Sequence, residues 1–330
     1  MREKVDRLNR LEAQDMPIKP SYFYHSFPRP RVGEEEDTIG RGLKILECLT
    51  KIGIVLTPEI IEWNQPLSDG NFRKHHTIQQ RICFTEISPR ELRAHGKKFG
   101  PFAIEWEISS LRRMGAIPVF YIPQKLNDNP GLSAIGISFV VQLSDCQRTM
   151  DNLLSLKKAS ETSFNSVTLK NTNDNGEVVN KYSVPTAILK NIISFLSYRN
   201  APFDMMRNTL DGASRLFYPA DNLSHEKLLD YYRQREWRLV SSEKDGQAVS
   251  RNCKDNEAEQ IRQTNPAFWN REISGGPYQF KRIDQALVYP TFEGHHVLTT
   301  ARRIIVPYAA LEKAKKVLSD LGLNIRVVPH

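Results

Sequence analysis

Between residues 38 and 53 the sequence TIGRGLKILECLTKIG places Ile39, Leu43, Leu46, Leu49 and Ile52 three or four positions apart. That spacing gathers the apolar side chains into one stripe of an α-helix, and such a stripe must be buried against another element. Gly53 is placed to stop the helix. The flanking segments have a different period. SYFYHSF (21–27) alternates aromatic and polar residues between Pro20 and Pro28 and reads as a strand. RICFTEI (81–87), PFAIEWEI (101–108) and AIPVFYI (116–122) read as further strands, and Ser88-Pro89 opens a short helix, PRELRAHGKKFG. The chain closes with the strand RRIIVP, the helix YAALEKAKKVLSDLG ended by Gly322, and the strand NIRVVP. Interleaved strands and helices with short connections predict an α+β fold over residues 1–330 as one domain.

Three stretches interrupt this pattern. Residues 1–20 read as a charged N-terminal extension. Residues 123–223 read as a mainly helical insertion, with GLSAIGISFVVQLSDCQRTMDNLLSLKK and PTAILKNIISFLSYR (185–199) as helices and NTNDNGEVVN as a surface loop. SHEKLLDYYRQ reads as another helix, with Ser224 as its N-cap. Residues 243–300 are polar and read as an irregular insertion.

Composition narrows the class. Hydrophobic residues make up 40% of 330, enough to bury a core. No run of 18 apolar residues occurs, so no transmembrane helix and no membrane partner are expected. The start, MREKVDRLNRLEAQD, lacks the apolar segment of a secretory signal. Cys48, Cys83, Cys146 and Cys253 are far apart and form no CxxC pair, which reads as reduced thiols in the cytoplasm without structural zinc. The adjacent pairs His75-His76 and His295-His296 would point to opposite strand faces, so no metal site is expected. A net charge of +8 suits nucleic acid or a phosphate-bearing ligand, and equally a solvated basic surface. RNAPFDMMRN, FWNR and YQFKR interleave basic and aromatic residues, as surfaces that stack unpaired bases do and as a wet surface over core aromatics equally does, and DGNFRKHH (69–76) adds basic density.

YRQREWRLV (232–240) sets one carboxylate among arginines. In a strand, Gln234, Glu236 and Arg238 share one face, and Arg235, Trp237 and Leu239 the other. A Gln-x-Glu pair suits a reaction that develops positive charge on a sugar, with flanking arginines keeping the glutamate ionised. The same residues also describe an ion-paired strand with Glu236 bonded to Arg235, Arg238 or a distant lysine.

YHSF followed by GLKILECLTKIGI resembles the opening of ADP-ribosyltransferase-like folds, where DNA-modifying (DarT-like) members carry an aromatic-His-x-Thr strand; Phe27 stands here in place of the threonine. RICFTEISPRELRAHGKKFGPFAIEWEISSLRRMGAIPVFYI, REWRLV and ARRIIVPYAALEKAKKVLSDLG resemble the abortive phage-resistance AbiGi family. The resemblance implies an ADP-ribosyltransferase-like mixed sheet with helical insertions and NAD as substrate. It implies that His25 and Tyr24 contact NAD, that Phe84 and Thr85 support the nicotinamide side with Arg238 nearby, and that Glu236 and Gln234 are catalytic. These residues are expected around a single cleft. The implied function is transfer of ADP-ribose to RNA or DNA in anti-phage defence. The alternative is a non-catalytic, antitoxin-like or sensor component that binds a partner.

Overall fold

The computed structural model describes residues 22–30, 37–66, 71–122, 130–173, 177–197, 203–219, 235–240, 243–244, 247–248 and 250–330. Strand β1 (Tyr22–Phe27) leads to helix α1 (Thr38–Ile52), whose Asp37 cap accepts the Gly40 N–H at 2.7 Å. Gly53 ends it at φ 93°, with Tyr289 and Pro290 packed where a Cβ would stand. Two long strands follow, β2 (Ile54–Pro66) and β3 (Phe72–Glu86), as an antiparallel hairpin. Next come helix α2 (Leu92–Phe99), strand β4 (Phe102–Glu107), helix α3 (Ile108–Arg113) and the short strands β5 (Ile117–Pro118) and β6 (Phe120–Ile122).

Residues between β6 and the next core strand form a mostly helical unit. It holds α4 (Pro130–Thr162), the hairpin β7 (Ser166–Thr172) and β8 (Val178–Pro185), α5 (Thr186–Leu196) and α6 (Phe203–Ser214). The chain returns in β9 (Phe217–Pro219), parallel to β6. Then come β10 (Glu236–Val240), β11 (Arg251–Asn252), α7 (Asp255–Thr264), α8 (Pro266–Trp269), β12 (Leu287–Tyr289), β13 (Arg303–Val306), α9 (Leu311–Asp320) and β14 (Arg326–Pro329).

The pairing around β3 organises the molecule. Thr85 of β3 pairs with Tyr24 of β1 and with Glu236 of β10, so β1 and β10 lie on opposite edges. Arg81 pairs with Thr57 of β2 and with Val240 of β10, so β2 also lies opposite β10. Strands β1 and β2 therefore follow one another along the same edge of β3 and diverge between Arg81 and Thr85. The sheet forks there. One arm continues from β2 to β12 and β11, and the other from β1 to β4, β13 and β14. Helix α1 joins the two arms, and its Leu46 and Leu49 enter the main core with Phe23, Phe84, Phe102, Trp106, Leu239 and Val306.

The alternation of the strands splits the side chains into two sets. Trp237, Phe84, His25, Ile104 and Ile304 run across one face, toward the α1 core. Glu236, Thr85, Tyr24, Glu105 and Arg303 form a polar row across the other.

Several segments differ from the sequence reading. The long β2–β3 hairpin extends well beyond the strand expected at 81–87. NTNDNGEVVN, expected as a loop, contains the last residues of β7 and the first of β8, with Asn171 paired to Asn180. The 243–300 stretch, expected as irregular, contains α7, a hairpin of Glu272–Gly275 with Tyr278–Lys281, and β12, which pairs with β2 in the main sheet. Residues 1–20 and SHEKLLDYYRQ lie outside the described residues.

Candidate ligand cleft and the Glu236 network

The fork leaves a gap along β3, and a cleft of about 590 Å³ fills it. Such a volume suits a small-molecule ligand. Its wall comes from Thr57 and Val55 of β2, Ile82 of β3, His25 of β1, Arg41 and Leu49 of α1, and Asn265, Phe268 and Arg271 around α8. Where β1 leaves β3, the His25 ring takes over from the backbone ladder: its Nδ1–H donates to the Cys83 carbonyl at 3.0 Å. A carbonyl can only accept, so the bond places the proton on Nδ1 and leaves the Nε2 lone pair exposed to other partners. Burial, together with the charge of Arg29, holds the His25 pKa down at about 4 against the support of the Cys83 bond, so the ring is neutral.

Arg29, Arg41 and Arg271 line the cleft, and its described lining holds no carboxylate. Arg41 donates to the Arg29 carbonyl, which fixes the start of α1 to the end of β1. Behind Phe268, the Arg282 guanidinium stacks at 3.9 Å from the ring and donates to the Phe268 carbonyl at 3.1 Å. This stacking holds the ring in place at the rim. The cleft therefore combines three cations, of which Arg41 is held by a hydrogen bond, with an immobilised aromatic face and an uncharged imidazole.

Glu236 lies elsewhere, on the opposite edge and other face of β3. Its carboxylate is 7% exposed and accepts the Tyr121 O–H at 2.7 Å and the Arg238 Nε–H at 2.8 Å, with the Cys83 thiol as a further donor. Burial opposes its charge, but the Arg238 guanidinium and these three donors outweigh burial and hold its pKa below the usual carboxylate value. The Cys83 thiol is pushed up to about 11 by burial and by Glu236. Arg238, only 1% exposed, also donates to Gln79 Oε1 at 3.2 Å and to the Arg215 carbonyl at 3.3 Å. Gln79 accepts from Arg81 at 3.1 Å, and Arg81 pairs with Glu59. The Tyr218 ring has the Arg238 guanidinium 4.6 Å from its centre and that of Arg81 at 5.1 Å. Glu236 is thus the terminus of a buried network, and the ion-paired reading of YRQREWRLV describes its packing.

The structure divides the expected single-cleft site. Tyr24, Thr85 and Glu236 stand side by side on three neighbouring strands, with Arg238 next to Glu236 on the same face. The Tyr24 hydroxyl is buried beside Glu105 and Arg303 without a well-aligned hydrogen bond, and burial and Glu105 raise its pKa. His25 and Phe84 are on the opposite face; Phe84 is wholly buried, and His25 alone of the expected residues lines the cleft. The expectation that His25 and Glu236 flank one cleft is therefore corrected: adjacent-strand register sends their side chains to opposite sides. Gln234 lies outside the described residues, and Arg235 at φ 42° interrupts the strand immediately before Glu236. The strand alternation that joined Gln234 to Glu236 does not run through Arg235.

Sequence reasoning missed Arg41, Gln79 and Tyr121. Arg41 is on the polar side of a helix and Tyr121 inside an ordinary apolar run, so neither carries a local signal. FWNR, noted for its mix of basic and aromatic residues, is the stretch that supplies Phe268 and Arg271 to the cleft. Comparison of the chain with protein-family models, curated proteins and solved structures finds no match.

Proposed function

We propose that the protein is a binding component that takes an anionic, aromatic ligand of the nucleotide class in the cleft at the sheet fork, with NAD as the first candidate. The observation that carries this reading is the cleft lining: three arginines, no described carboxylate, and a clamped aromatic ring. Phosphate oxygens would meet Arg29, Arg41 or Arg271, a planar base would lie on Phe268, and His25 Nε2 would accept a hydroxyl or amino proton. Titration calorimetry with NAD, ADP-ribose and ATP tests it. Binding that falls at least tenfold in Arg271→Glu, with the melting curve unchanged, supports the proposal. No heat with any of the three at millimolar ligand removes it.

A second reading, transfer of ADP-ribose from NAD to RNA or DNA in anti-phage defence, is favoured by one arrangement: an aromatic hydroxyl, a threonine and an ionised glutamate aligned across β1, β3 and β10. It requires Glu236 to exchange Tyr121 or Arg238 for substrate. NAD labelled on its adenylate, mixed with RNA, DNA and lysate, tests it. Label that enters a macromolecule with the native chain and is lost with Glu236→Gln, at a temperature where both are folded, supports transfer. Intact NAD with no labelled fraction leaves the binding reading alone, in which the chain acts as a sensor or as the partner of a toxin.

A further inference from the structure

The unit formed by α4 to α6 has its own small core, in which Leu189 and Ile193 of α5 pack with Phe203, Leu153 and Val184. The flank of α5 beside this buried stripe is apolar too and faces water. Ile188, Ile192 and Phe195 fall at intervals of four and three with Leu196 beside them, and Phe195 is 88% exposed. Phe164, at the base of the β7–β8 hairpin, is fully exposed, and Tyr182 of β8 is more than half exposed. At about 200 Å² for each large side chain, the four of α5 leave roughly 470 Å² of apolar surface in water, as much as the largest and often functional patch of an ordinary monomer, about 300–600 Å². With Phe164 and Tyr182 the exposed apolar surface of the unit reaches roughly 780 Å², close to the roughly 800 Å² that each partner contributes to a stable interface.

We propose that this face is the interface of a homodimer, closed by α5 of a second copy. Area is one reason; the other is self-complementarity. A twofold axis near Asn191 and Ile192 sets two antiparallel α5 helices face to face, so that Ile188 of one copy meets Phe195 of the other. Lys190 is the only charged residue of α5 and points away from the stripe, so the pairing brings no like charges together. The β7–β8 hairpin adds weight: a two-stranded ribbon is marginal in water by itself, and β8 is exposed along nearly its whole length. The inference stands apart from the cleft and from whatever the cleft binds.

Sedimentation velocity from micromolar to submillimolar protein tests it. The native chain is expected at twice its 37.9 kDa mass. Ile192→Glu combined with Phe195→Glu is expected at the single-chain mass, with circular dichroism unchanged because both side chains face solvent in the single chain, and with a melting temperature that no longer rises with protein concentration. In a Cys146→Ser background, Ile192→Cys is expected to cross-link two copies on mild oxidation, since it lies at the centre of the stripe beside the twofold axis. A native chain that sediments at 37.9 kDa throughout, including one that dimerises only when a different protein is added, overturns the proposal. So does a double variant that stays dimeric.

Discussion

Replacing Glu236 with glutamine tests the buried network at its most loaded point. The substitution keeps the shape and one oxygen for Tyr121 but removes the charge facing Arg238, which is 1% exposed. Breaking a buried pair from one side costs about 3–5 kcal/mol, because the remaining ion stays buried; the retained hydrogen bonds put Glu236→Gln near the lower end. For a chain of this size that corresponds to a fall in melting temperature of roughly 4 °C or more. The charge also predicts a pH signature. Glu236 has a folded pKa below its ordinary 4.5, so its stabilisation is complete above that value and is lost as pH falls through the folded value. The difference between native and variant, measured by urea unfolding at successive pH values, should be largest near neutrality and shrink in acid. A double-variant cycle with Arg238→Met should return a coupling of about 1 kcal/mol or more, since removing both charges together avoids the orphaned ion. A Glu236→Gln loss within about 0.5 kcal/mol of zero, as for an ordinary surface position, would refute the picture of a desolvated pair.

Three further outcomes follow from other positions. By carbon- or nitrogen-detected NMR, His25 should remain neutral and Nδ1-protonated at pH 5.5; because its folded pKa, about 4, lies below its ordinary 6.5, it draws stability away as pH falls from 6.5 toward 4, and His25→Gln should flatten that part of the stability profile. Gly53→Ala should destabilise by more than about 1 kcal/mol in chemical unfolding, because φ is 93° and the new Cβ would lie 2.4 Å from the Tyr289 carbonyl oxygen. Gln79→Leu should cost about 2–4 kcal/mol by the same assay, since its amide donates to the Ser214 and Phe217 carbonyls and its oxygen serves Arg81 and Arg238 in a fully buried site.

The elements visible in the sequence are those with a clean local period. The α1 stripe, the alternation in β1, the run of β4 and the closing strand–helix–strand all appear as expected. The β2–β3 hairpin is less visible because IVLTPEIIEWNQP carries Pro58 and Pro66 inside a strand, where proline ordinarily argues against one. Strand β12 is only three residues long and gains its place by pairing with Ile54–Leu56, more than two hundred positions earlier, which no local pattern reports. The same limit governs the site. The alternation of Glu236 and Arg238 against Trp237 is local and is found as read. The cleft depends on two strands sharing one edge of β3, a property of the assembled sheet, and its arginines come from α1, the end of β1 and the α8 region, which meet only after folding.

The buried network also fastens the root of the helical unit. Gln79 holds the Ser214 and Phe217 carbonyls and Arg238 holds that of Arg215, so the last turn of α6 and the start of β9 are tied to the strands that carry Glu236. Among the described residues, no buried side chain of the central strands is bonded to the outer hairpin in this way. The unit should therefore open in two tiers under native conditions: amides of β8 should exchange with deuterium early, while those of Leu216–Tyr218 should exchange as slowly as the central strands, because freeing them would leave the buried Gln79 amide without its acceptors and cost the Arg238 guanidinium one of its own.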